Sequence, residues 1–229
     1  MAERAAPERL TSPLDGFVFD AWRQAPDDAR RGGLVVIQEI FGVTDGILDI
    51  AAGFAADGYE TLSLSLFDRR APGFVAGYDA EGVARGRDIS ETTPWDEVAA
   101  DLAAAVAALA PPVFMVGYCW GGTAAWLAAA RVRGISAASC YYGRRIPELI
   151  AEAPLCPTIL HFGRHDASIP PATVEEIAEA YPDLPVHIYD AGHGFASDRR
   201  ADFVVDAARL ARLRTLQLFT TSGGRGEMG

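Results

Sequence analysis

The sequence predicts an α/β fold, a mostly parallel β-sheet with helices on both faces. Two observations support this prediction: short apolar, β-branched runs recur along the chain, and between them lie longer segments whose apolar residues return every three to four positions. Parallel strands need long crossover connections, which are usually helices, so this alternation is typical of such sheets. Because ligands bind at the carboxyl ends of parallel strands, functional residues are expected just after strand ends.

The predicted strands are apolar, rich in β-branched residues and too short for helices. The first, Leu34–Gln38, is short, apolar as far as Ile37 and rich in β-branched residues, as is typical of a strand buried on both faces. The others follow in chain order: Thr61–Phe67, Val113–Tyr118, Ile135–Gly143, Pro157–Gly163 and Val186–Gly192.

The predicted helices begin and end at recognisable residues. The first runs from about Thr44 to Asp57, with Thr44 or Asp45 as N-cap. The second begins at Pro94 with acidic residues in its first turn and ends before Pro111–Pro112. The remaining helices are Gly122–Arg131, Thr173–Tyr181 and about Ala201–Phe219.

Residues 1–229 are expected to form a single domain, since neither an internal repeat nor a linker interrupts them. The ends, about 1–12 and 220–229, are expected to be loosely ordered. The connection from Asp68 to Thr93 is long and contains several Gly and Arg residues. A long loop over strand ends is usually functional or mobile.

Charge and composition exclude several classes of function. The chain has 20 basic and 31 acidic residues, a net charge of −11, and every basic residue is Arg. Without Lys there is no Schiff-base lysine, no phosphate-binding loop of the usual lysine-containing form and no Ser–Lys nucleophile pair. The negative charge also gives no electrostatic reason to bind nucleic acid or an anionic membrane.

The sequence is expected to contain no membrane span, secretory signal, disulfide framework or zinc site. No apolar run approaches the ~18 residues of a membrane span, and the first residues lack the apolar segment of a secretory signal. Cys119, Cys140 and Cys156 form no C-x-x-C pair, which argues against a disulfide framework or a zinc site. We expect a cytoplasmic monomer or small homo-oligomer without metal or cofactor.

The most specific local pattern is G-x-C-x-G within Gly117–Gly122, between a predicted strand and a predicted helix. This pattern is a nucleophile elbow with Cys119 in place of serine. Glycine is needed two positions before and after the nucleophile because side chains would clash in so tight a turn. The elbow places the sulfur at a helix N-terminus, which favours the thiolate. A buried structural cysteine is the alternative interpretation.

An acid and a histidine follow the elbow in the chain order that it requires. Asp166 comes after the strand Pro157–Gly163, and His193 comes after Val186–Gly192. Asp166 would orient the imidazole, and His193 would move the proton of Cys119. Order and spacing favour a catalytic triad over the alternatives, a turn cap for Asp166 and an ordinary loop histidine for His193.

The other histidines and cysteines are interpreted as structural. His161 and His187 lie within predicted strands, and His165 lies in a turn. A metal site would need more donors on one face. Cys140 and Cys156 are expected to pack in the interior.

Glu39 is unusual because it follows the first buried strand, where a carboxylate is costly unless it is paired. The loop after this strand donates a backbone N–H to the oxyanion hole in folds with such an elbow. Glu39 could hydrogen-bond a neutral thiol or an Arg from a nearby loop. A helix-capping or salt-bridged Glu is the plainer interpretation.

The ordered set of motifs resembles the dienelactone hydrolase family, whose members open a small unsaturated lactone ring that carries a carboxylate. The motifs are Q-E-I-F-G at 38–42, G-Y-C-x-G-G at 117–122, Y-Y-G at 141–143, G-x-x-D at 163–166 and A-G-H-x-F at 191–195. The resemblance covers about Phe17 to Phe219 and implies an α/β-hydrolase fold without a large lid domain. No single motif is specific to this family, but the ordered set of motifs is.

The resemblance also implies roles for the residues around the nucleophile. It assigns Cys119, Asp166 and His193 to the triad. It implies that Glu39 holds the resting thiol and helps to deprotonate it when substrate binds.

The oxyanion hole and the substrate carboxylate involve further residues of the matched motifs. The resemblance implies that the backbone N–H groups of Ile40 and Trp120 form the oxyanion hole. The family arginine of the long connection matches Arg85 or, alternatively, Arg87.

One departure concerns the residues after His193. Well-studied members continue with Ser-Phe-Ala-Arg, whereas this chain has Gly-Phe-Ala-Ser at 194–197. The arginine that binds the substrate carboxylate is therefore missing there. Arg199 or Arg200 would have to substitute from one turn further on.

The sequence therefore predicts a hydrolase that opens a small lactone or ester, including substrates that bear a carboxylate. Tyr141 and Phe195, inside the matched motifs, are also expected to contact the substrate. Two other functions stay open. A small-molecule binding protein without turnover is compatible with the missing arginine, and a thiol redox sensor would need a second cysteine near Cys119.

Overall fold

The computed structural model describes residues 6–224. Its strands alternate with helices from β3 onward, as the sequence predicts. They are β1 (Glu8–Thr11), β2 (Val18–Gln24), β3 (Gly32–Ile37), β4 (Tyr59–Leu64), β5 (Val113–Tyr118), β6 (Ile135–Tyr141), β7 (Thr158–Gly163) and β8 (Val186–Tyr189).

The strands form one sheet of eight within the described residues, in the order β1-β2-β4-β3-β5-β6-β7-β8. The pairs β1–β2 and β2–β4 are antiparallel, and all the other pairs are parallel. Every residue of β3 and β5 is buried, as expected for central parallel strands covered on both faces. The predicted mostly parallel α/β sheet, without a large lid domain, is confirmed.

The helices connect the strands and cover the sheet. They are α1 (Asp45–Ala56), α2 (Ala80–Thr92), α3 (Trp95–Ala107), α4 (Trp120–Arg131), α5 (Pro171–Ala180) and α6 (Val205–Thr221), with a short 3-10 helix at Ile146–Leu149. Thr44 caps α1 by accepting a hydrogen bond from the N–H of Ile47, and acidic residues occupy the first turn of α3.

The first two strands depart from the sequence expectation. Residues 1–12 were expected to be loosely ordered, but Glu8–Thr11 pairs with β2 along its whole length, so that expectation is wrong for β1. The alternation in β2 is irregular, and only Phe19 and Ala21 are fully buried, so its apolar signal is weak. At the other end α6 continues to Thr221, and residues 1–5 and 225–229 lie outside the described part.

The long connection from Asp68 to Thr93 contains a helix that the sequence pattern did not predict. Asp79 caps α2 by accepting a hydrogen bond from the N–H of Gly82 over 2.7 Å. Only Gly82, Gly86 and Ser90 of this helix are buried, so it lacks the apolar stripe by which helices are recognised. The helix places its residues beside the carboxyl end of β3.

Candidate active site

Cys119 occupies a tight turn between the last residue of β5 and the first residue of α4. Its backbone has φ = 56°, a left-handed conformation that non-glycine residues rarely adopt. A Cβ on Gly117 would lie 1.9 Å from the carbonyl oxygen of Gly121, and one on Gly121 would lie 2.3 Å from that of Gln38. Both contacts are impossible for a real side chain, so the turn requires glycine at the two positions.

Cys119, His193 and Asp166 lie in one continuous series of contacts. Nε2 of His193 lies 3.1 Å from Sγ of Cys119, and Nδ1 of His193 lies 2.6 Å from Oδ2 of Asp166. The other carboxylate oxygen of Asp166 accepts a hydrogen bond from the N–H of Ser168 over 2.8 Å. The three side chains come from the carboxyl ends of β5, β7 and β8, where the sheet topology was expected to gather functional groups.

The charge state of His193 follows from two opposing effects. Burial lowers the pKa of the imidazole, because the cation is costly to desolvate. The negative charges of Cys119 and Asp166, and their hydrogen bonds to the ring, outweigh burial and raise the pKa of His193 to about 10. The site therefore favours the imidazolium form of His193 at neutral pH.

Glu39 is buried beside this series of contacts, with 1% of its surface exposed. Burial raises the pKa of its carboxyl group, while the charges of Arg200 and His193 act in the opposite direction. Nη1 of Arg200 lies 3.9 Å from Oε1 of Glu39, which is an ionic contact but too long for a hydrogen bond. Oε1 has no hydrogen-bond partner among the described residues.

A cavity of about 420 Å³ opens over Cys119 and His193. Ile40 and Trp120 form part of its wall. Four of the described residues that line it are arginines: Arg87, Arg144, Arg145 and Arg200. The cavity thus combines a candidate nucleophile with several cationic side chains.

Comparison with known proteins shows the family to which the chain belongs. The model of the dienelactone hydrolase family matches residues 19–223. The carboxymethylenebutenolidase of Pseudomonas sp. strain P51 is 31% identical over an alignment that covers 93% of this chain and 94% of that protein. The chain belongs to the dienelactone hydrolase family. The carboxymethylenebutenolidase of Pseudomonas putida is likewise 31% identical, over 88% of this chain and 91% of that protein.

Solved structures agree on the fold. The dienelactone hydrolase-like promiscuous phosphotriesterase P91 from metagenomic libraries has a TM-score of 0.78 and covers 95% of this chain and 99% of its own. Its sequence identity is 17%, so this likeness concerns the fold alone. Membership of the dienelactone hydrolase family confirms the resemblance stated from the motifs. It also confirms that the chain is a hydrolase of ester or lactone bonds.

Two aromatic residues that the family motifs brought into consideration do not reach the cavity. Tyr141 is buried, and its hydroxyl lies 2.8 Å from Oγ1 of Thr215 on α6. Phe195 is fully buried against Tyr141 and Tyr189. Neither is among the described residues that line the cavity, so their assignment to substrate binding is corrected.

The four candidate arginines divide into two pairs. Arg85 stacks over the ring of Phe74 at 5.3 Å, and Arg199 forms an exposed ion pair of 2.6 Å with Asp49. Neither of these two is among the described residues that line the cavity, which corrects their assignment to substrate binding. Arg87 and Arg200 do line it. Of the alternatives left open by the motifs, the geometry favours these two.

Tyr142 is a residue at the site that the sequence did not single out. Its backbone has φ = 39°, its ring centroid lies 5.1 Å from that of His193, and it is fully buried. Burial raises the pKa of its hydroxyl, and the negative charges of Glu39 and Cys119 act in the same direction. The Y-Y-G motif marks the place, but Tyr142 follows the end of β6 in a left-handed backbone conformation, so strand alternation could not show that its ring lies beside His193.

Arg144, Arg145 and Glu148 also line the cavity and were not predicted. Arg145 binds Glu148 and lies 4.9 Å over the ring of Trp95, which stacks on Trp120 at 5.7 Å and 16°. This layered set of side chains forms one wall beside the nucleophile.

The remaining histidines and cysteines have structural surroundings. His161 is buried, with Nδ1 2.8 Å from the hydroxyl of Tyr189, and burial holds its pKa well below the usual value. Burial raises the pKa of both Cys140 and Cys156. Within residues 6–224 no group of three or more His, Cys, Asp or Glu side chains is placed to bind a metal ion, and no helix is long and apolar enough to cross a membrane.

Proposed function

We propose that this member of the dienelactone hydrolase family opens a small lactone or ester by nucleophilic catalysis at Cys119. The observation that carries the proposal is the series of contacts from Sγ of Cys119 through His193 to the buried carboxylate of Asp166, at 3.1 and 2.6 Å. A buried acid, an imidazole and a nucleophile at hydrogen-bond distance are the arrangement that acyl transfer requires.

The first half of the reaction forms an acyl-enzyme. The thiolate of Cys119 attacks the substrate carbonyl carbon, and the negative charge develops on the carbonyl oxygen. The ring or ester C–O bond then breaks, leaving a thioester on Cys119. The released oxygen takes a proton from the imidazolium of His193. When the lactone is unsaturated, the oxygen leaves instead as a stabilised enolate, His193 stays protonated, and the enolate takes the proton of the water that attacks in the second half.

The developing oxyanion is the charge that the site must stabilise. We assign this role to the backbone N–H groups of Ile40 and Trp120. Trp120 is the first residue of α4, so its N–H has no acceptor within the helix, and Ile40 follows Glu39 on the wall of the same cavity. Each such donor is typically worth about 10²–10³ in rate.

The second half of the reaction hydrolyses the thioester. His193 removes a proton from water, the hydroxide attacks the thioester carbonyl, and Cys119 leaves as the thiolate. Asp166 keeps Nδ1 protonated, so that Nε2 is the atom that exchanges protons in both halves.

We assign Glu39 to the proton on the resting thiol. Its carboxyl group is buried, it has no hydrogen bond through Oε1 in the described chain, and burial raises its pKa toward the range in which it can accept a proton from sulfur. Arg200, 3.9 Å away, limits that rise. Burial and the nearby charge of Arg200 together set how readily Glu39 exchanges a proton.

We assign Arg87 and Arg200 to a carboxylate on the substrate. Both line the cavity over Cys119, and Arg is a forked, permanently charged donor suited to carboxylates. Serine at position 197 leaves the usual family arginine absent, and Arg200 lies one turn further along.

Hydrolysis of dienelactone, of simple lactones and of 4-nitrophenyl esters by the purified protein tests the proposal. We expect turnover of at least one class, with a burst of product equal to the enzyme concentration when deacylation is slow. Cys119→Ala should abolish it, while Cys156→Ala, a half-buried cysteine elsewhere, should not. Turnover that survives in Cys119→Ala contradicts the mechanism, and binding without turnover in the unaltered protein supports a binding protein instead.

A further inference from the structure

The charge of the cavity is opposite to the charge of the protein. The chain carries a net charge of −11, yet the described cavity lining contains four arginines and only two carboxylates, Glu91 and Glu148. Low-dielectric walls focus the field of such groups toward a bound ligand. The excess of positive charge therefore points to an anionic ligand.

The four arginines of the cavity differ in whether a carboxylate of the protein already forms an ion pair with them. Arg145 binds Glu148 through Nη2 at 2.7 Å, and Arg200 faces Glu39. Arg87 and Arg144 have no carboxylate within ion-pair distance among residues 6–224. Their guanidinium groups are available to a ligand.

Arg144 projects from a backbone that is fixed against the elbow helix. A Cβ on the preceding Gly143 would lie 2.8 Å from the backbone nitrogen of Thr123, so the two segments are in direct contact. The N–H of the following residue, Arg145, donates to Oγ1 of Thr123 over 3.1 Å. The position of Arg144 is therefore set from both sides by the first turn of α4.

Arg87 is fixed in a comparable way on another segment. A Cβ on Gly86 would lie 2.1 Å from the carbonyl oxygen of Ile40, so α2 packs directly on the loop that follows β3. In the sheet, β5 lies between β3 and β6. The loop that supports Arg87 and the loop that carries Arg144 consequently leave the sheet on opposite sides of the Cys119 strand.

We propose that Arg144 forms a second anion-binding point, so that the site prefers substrates with two carboxylates, one on each side of the carbonyl that is attacked. Arg87, together with Arg200, binds one carboxylate, and Arg144 binds the other. This inference rests on the proposed function, since it places the reacting carbonyl at Cys119. Because Arg144 is largely exposed, its contribution is at the low end for a charged hydrogen bond, about tenfold in kcat/KM.

A set of four aryl esters tests the inference. The acyl group is acetyl or succinyl, and the leaving group is 4-nitrophenol or 3-carboxy-4-nitrophenol, so that a carboxylate lies on neither side, on either side or on both. We expect the unaltered enzyme to have its highest kcat/KM for the ester with two carboxylates. In Arg144→Gln the increase in kcat/KM given by a carboxylate on one side of the ester should fall about tenfold, while the increase given by a carboxylate on the other side stays. Arg87→Gln should remove the increase that Arg144→Gln leaves in place.

Arg133→Gln is the matched control, because Arg133 is an exposed arginine in the turn between α4 and β6, at the amino end of the sheet. It should leave all four kcat/KM values unchanged. Added salt should reduce the preference for the dianion in the unaltered enzyme and in Arg133→Gln, and reduce it less in Arg144→Gln.

Binding is measured separately from turnover in Cys119→Ala, with the same esters and isothermal calorimetry. The ester with two carboxylates should bind Cys119→Ala about tenfold more tightly than it binds Cys119→Ala/Arg144→Gln. If Arg144→Gln behaves as the unaltered enzyme, or weakens all four esters equally, the inference is wrong. Absence of turnover with all four esters and with the lactones contradicts the proposed function, and the calorimetry still decides the role of Arg144.

Discussion

The buried carboxylate of Asp166 accepts a hydrogen bond from Nδ1 of His193 over 2.6 Å. The Asp166 side chain is completely inaccessible to solvent, and His193 is 14% exposed on its own side chain. Such a contact fixes both the tautomer and the orientation of the ring, which leaves Nε2 directed at the sulfur of Cys119. The pair is thus expected to act on the reaction through the placement of one proton.

Asp166→Asn should lower kcat by about 10²–10⁴ and change KM little, because an amide no longer enforces the tautomer that presents Nε2 to Cys119. Ester hydrolysis under single-turnover conditions measures the effect. Asp190→Asn is the control, since Asp190 is exposed and its carboxylate contacts His165 rather than His193. An Asp166→Asn enzyme with ordinary kcat would remove Asp166 from the mechanism.

Glu39→Gln should raise stability at neutral pH while it lowers activity. The folded-state pKa of Glu39 is raised by burial, so ionisation costs folding free energy, and that cost grows as pH rises above the ordinary value of 4.5. Below that value both states are protonated and the two proteins should be equally stable. Urea unfolding from pH 4 to pH 8 should show a difference that increases to about 1–2 kcal/mol. A difference that shrinks with rising pH would contradict the assigned direction.

Gly86→Ala should impair both folding and catalysis. The added methyl group would lie 2.1 Å from the carbonyl oxygen of Ile40, so α2 or the loop of the oxyanion hole has to move. We expect a loss of about 1–3 kcal/mol in stability and a fall in kcat. In the control Gly53→Ala, on α1, the methyl group meets only the end of the Arg212 side chain at 3.4 Å and should be tolerated or mildly stabilising. Equal behaviour of the two variants would contradict the close packing at Gly86.

Iodoacetamide should label Cys119 before Cys140 and Cys156, and labelling should follow the loss of activity. Cys140 is fully buried, and burial raises the pKa of both other thiols, so neither presents much thiolate at pH 7. Peptide mapping by mass spectrometry after partial labelling measures the order. Early labelling of Cys140 would show that the site is assigned to the wrong cysteine.

The positions of Cys119, Asp166 and His193 could be predicted because each comes shortly after a predicted strand. Parallel strands bring their carboxyl ends together, so chain order alone suggested that the three side chains meet. The glycines around Cys119 are visible in the sequence, and the tight turn requires them because a side chain at either position would clash with the backbone.

The substrate-facing side chains could not be predicted in the same way, because each depends on orientation within an element. Arg85 and Arg87 are two positions apart on α2, which places them about 200° apart around the axis, so only one can face the cavity. A sequence motif names both arginines but does not show which side of the helix each of them faces. The same difficulty affected Tyr141 and Tyr142. Tyr141 ends β6 with its hydroxyl 2.8 Å from Oγ1 of Thr215, whereas Tyr142 follows the strand with its ring beside His193.

The antiparallel strands β1 and β2 were missed for a different reason. Their pairing depends on contacts with each other and with β4 rather than on a continuous apolar run. An edge that is partly exposed needs few apolar residues, and ion pairs such as Arg23 with Glu8 and Glu60 stabilise it instead. Such contacts are distant in the chain and leave no local pattern.

The stacking of Trp120 on Trp95 beside the nucleophile gives this enzyme a built-in optical reporter. An indole in van der Waals contact with the acyl group would change its emission when the thioester forms and again when it is hydrolysed. Stopped-flow fluorescence should therefore resolve the two half-reactions without a chromogenic substrate. Trp95→Phe should alter that signal and leave the chemistry of Cys119 in place.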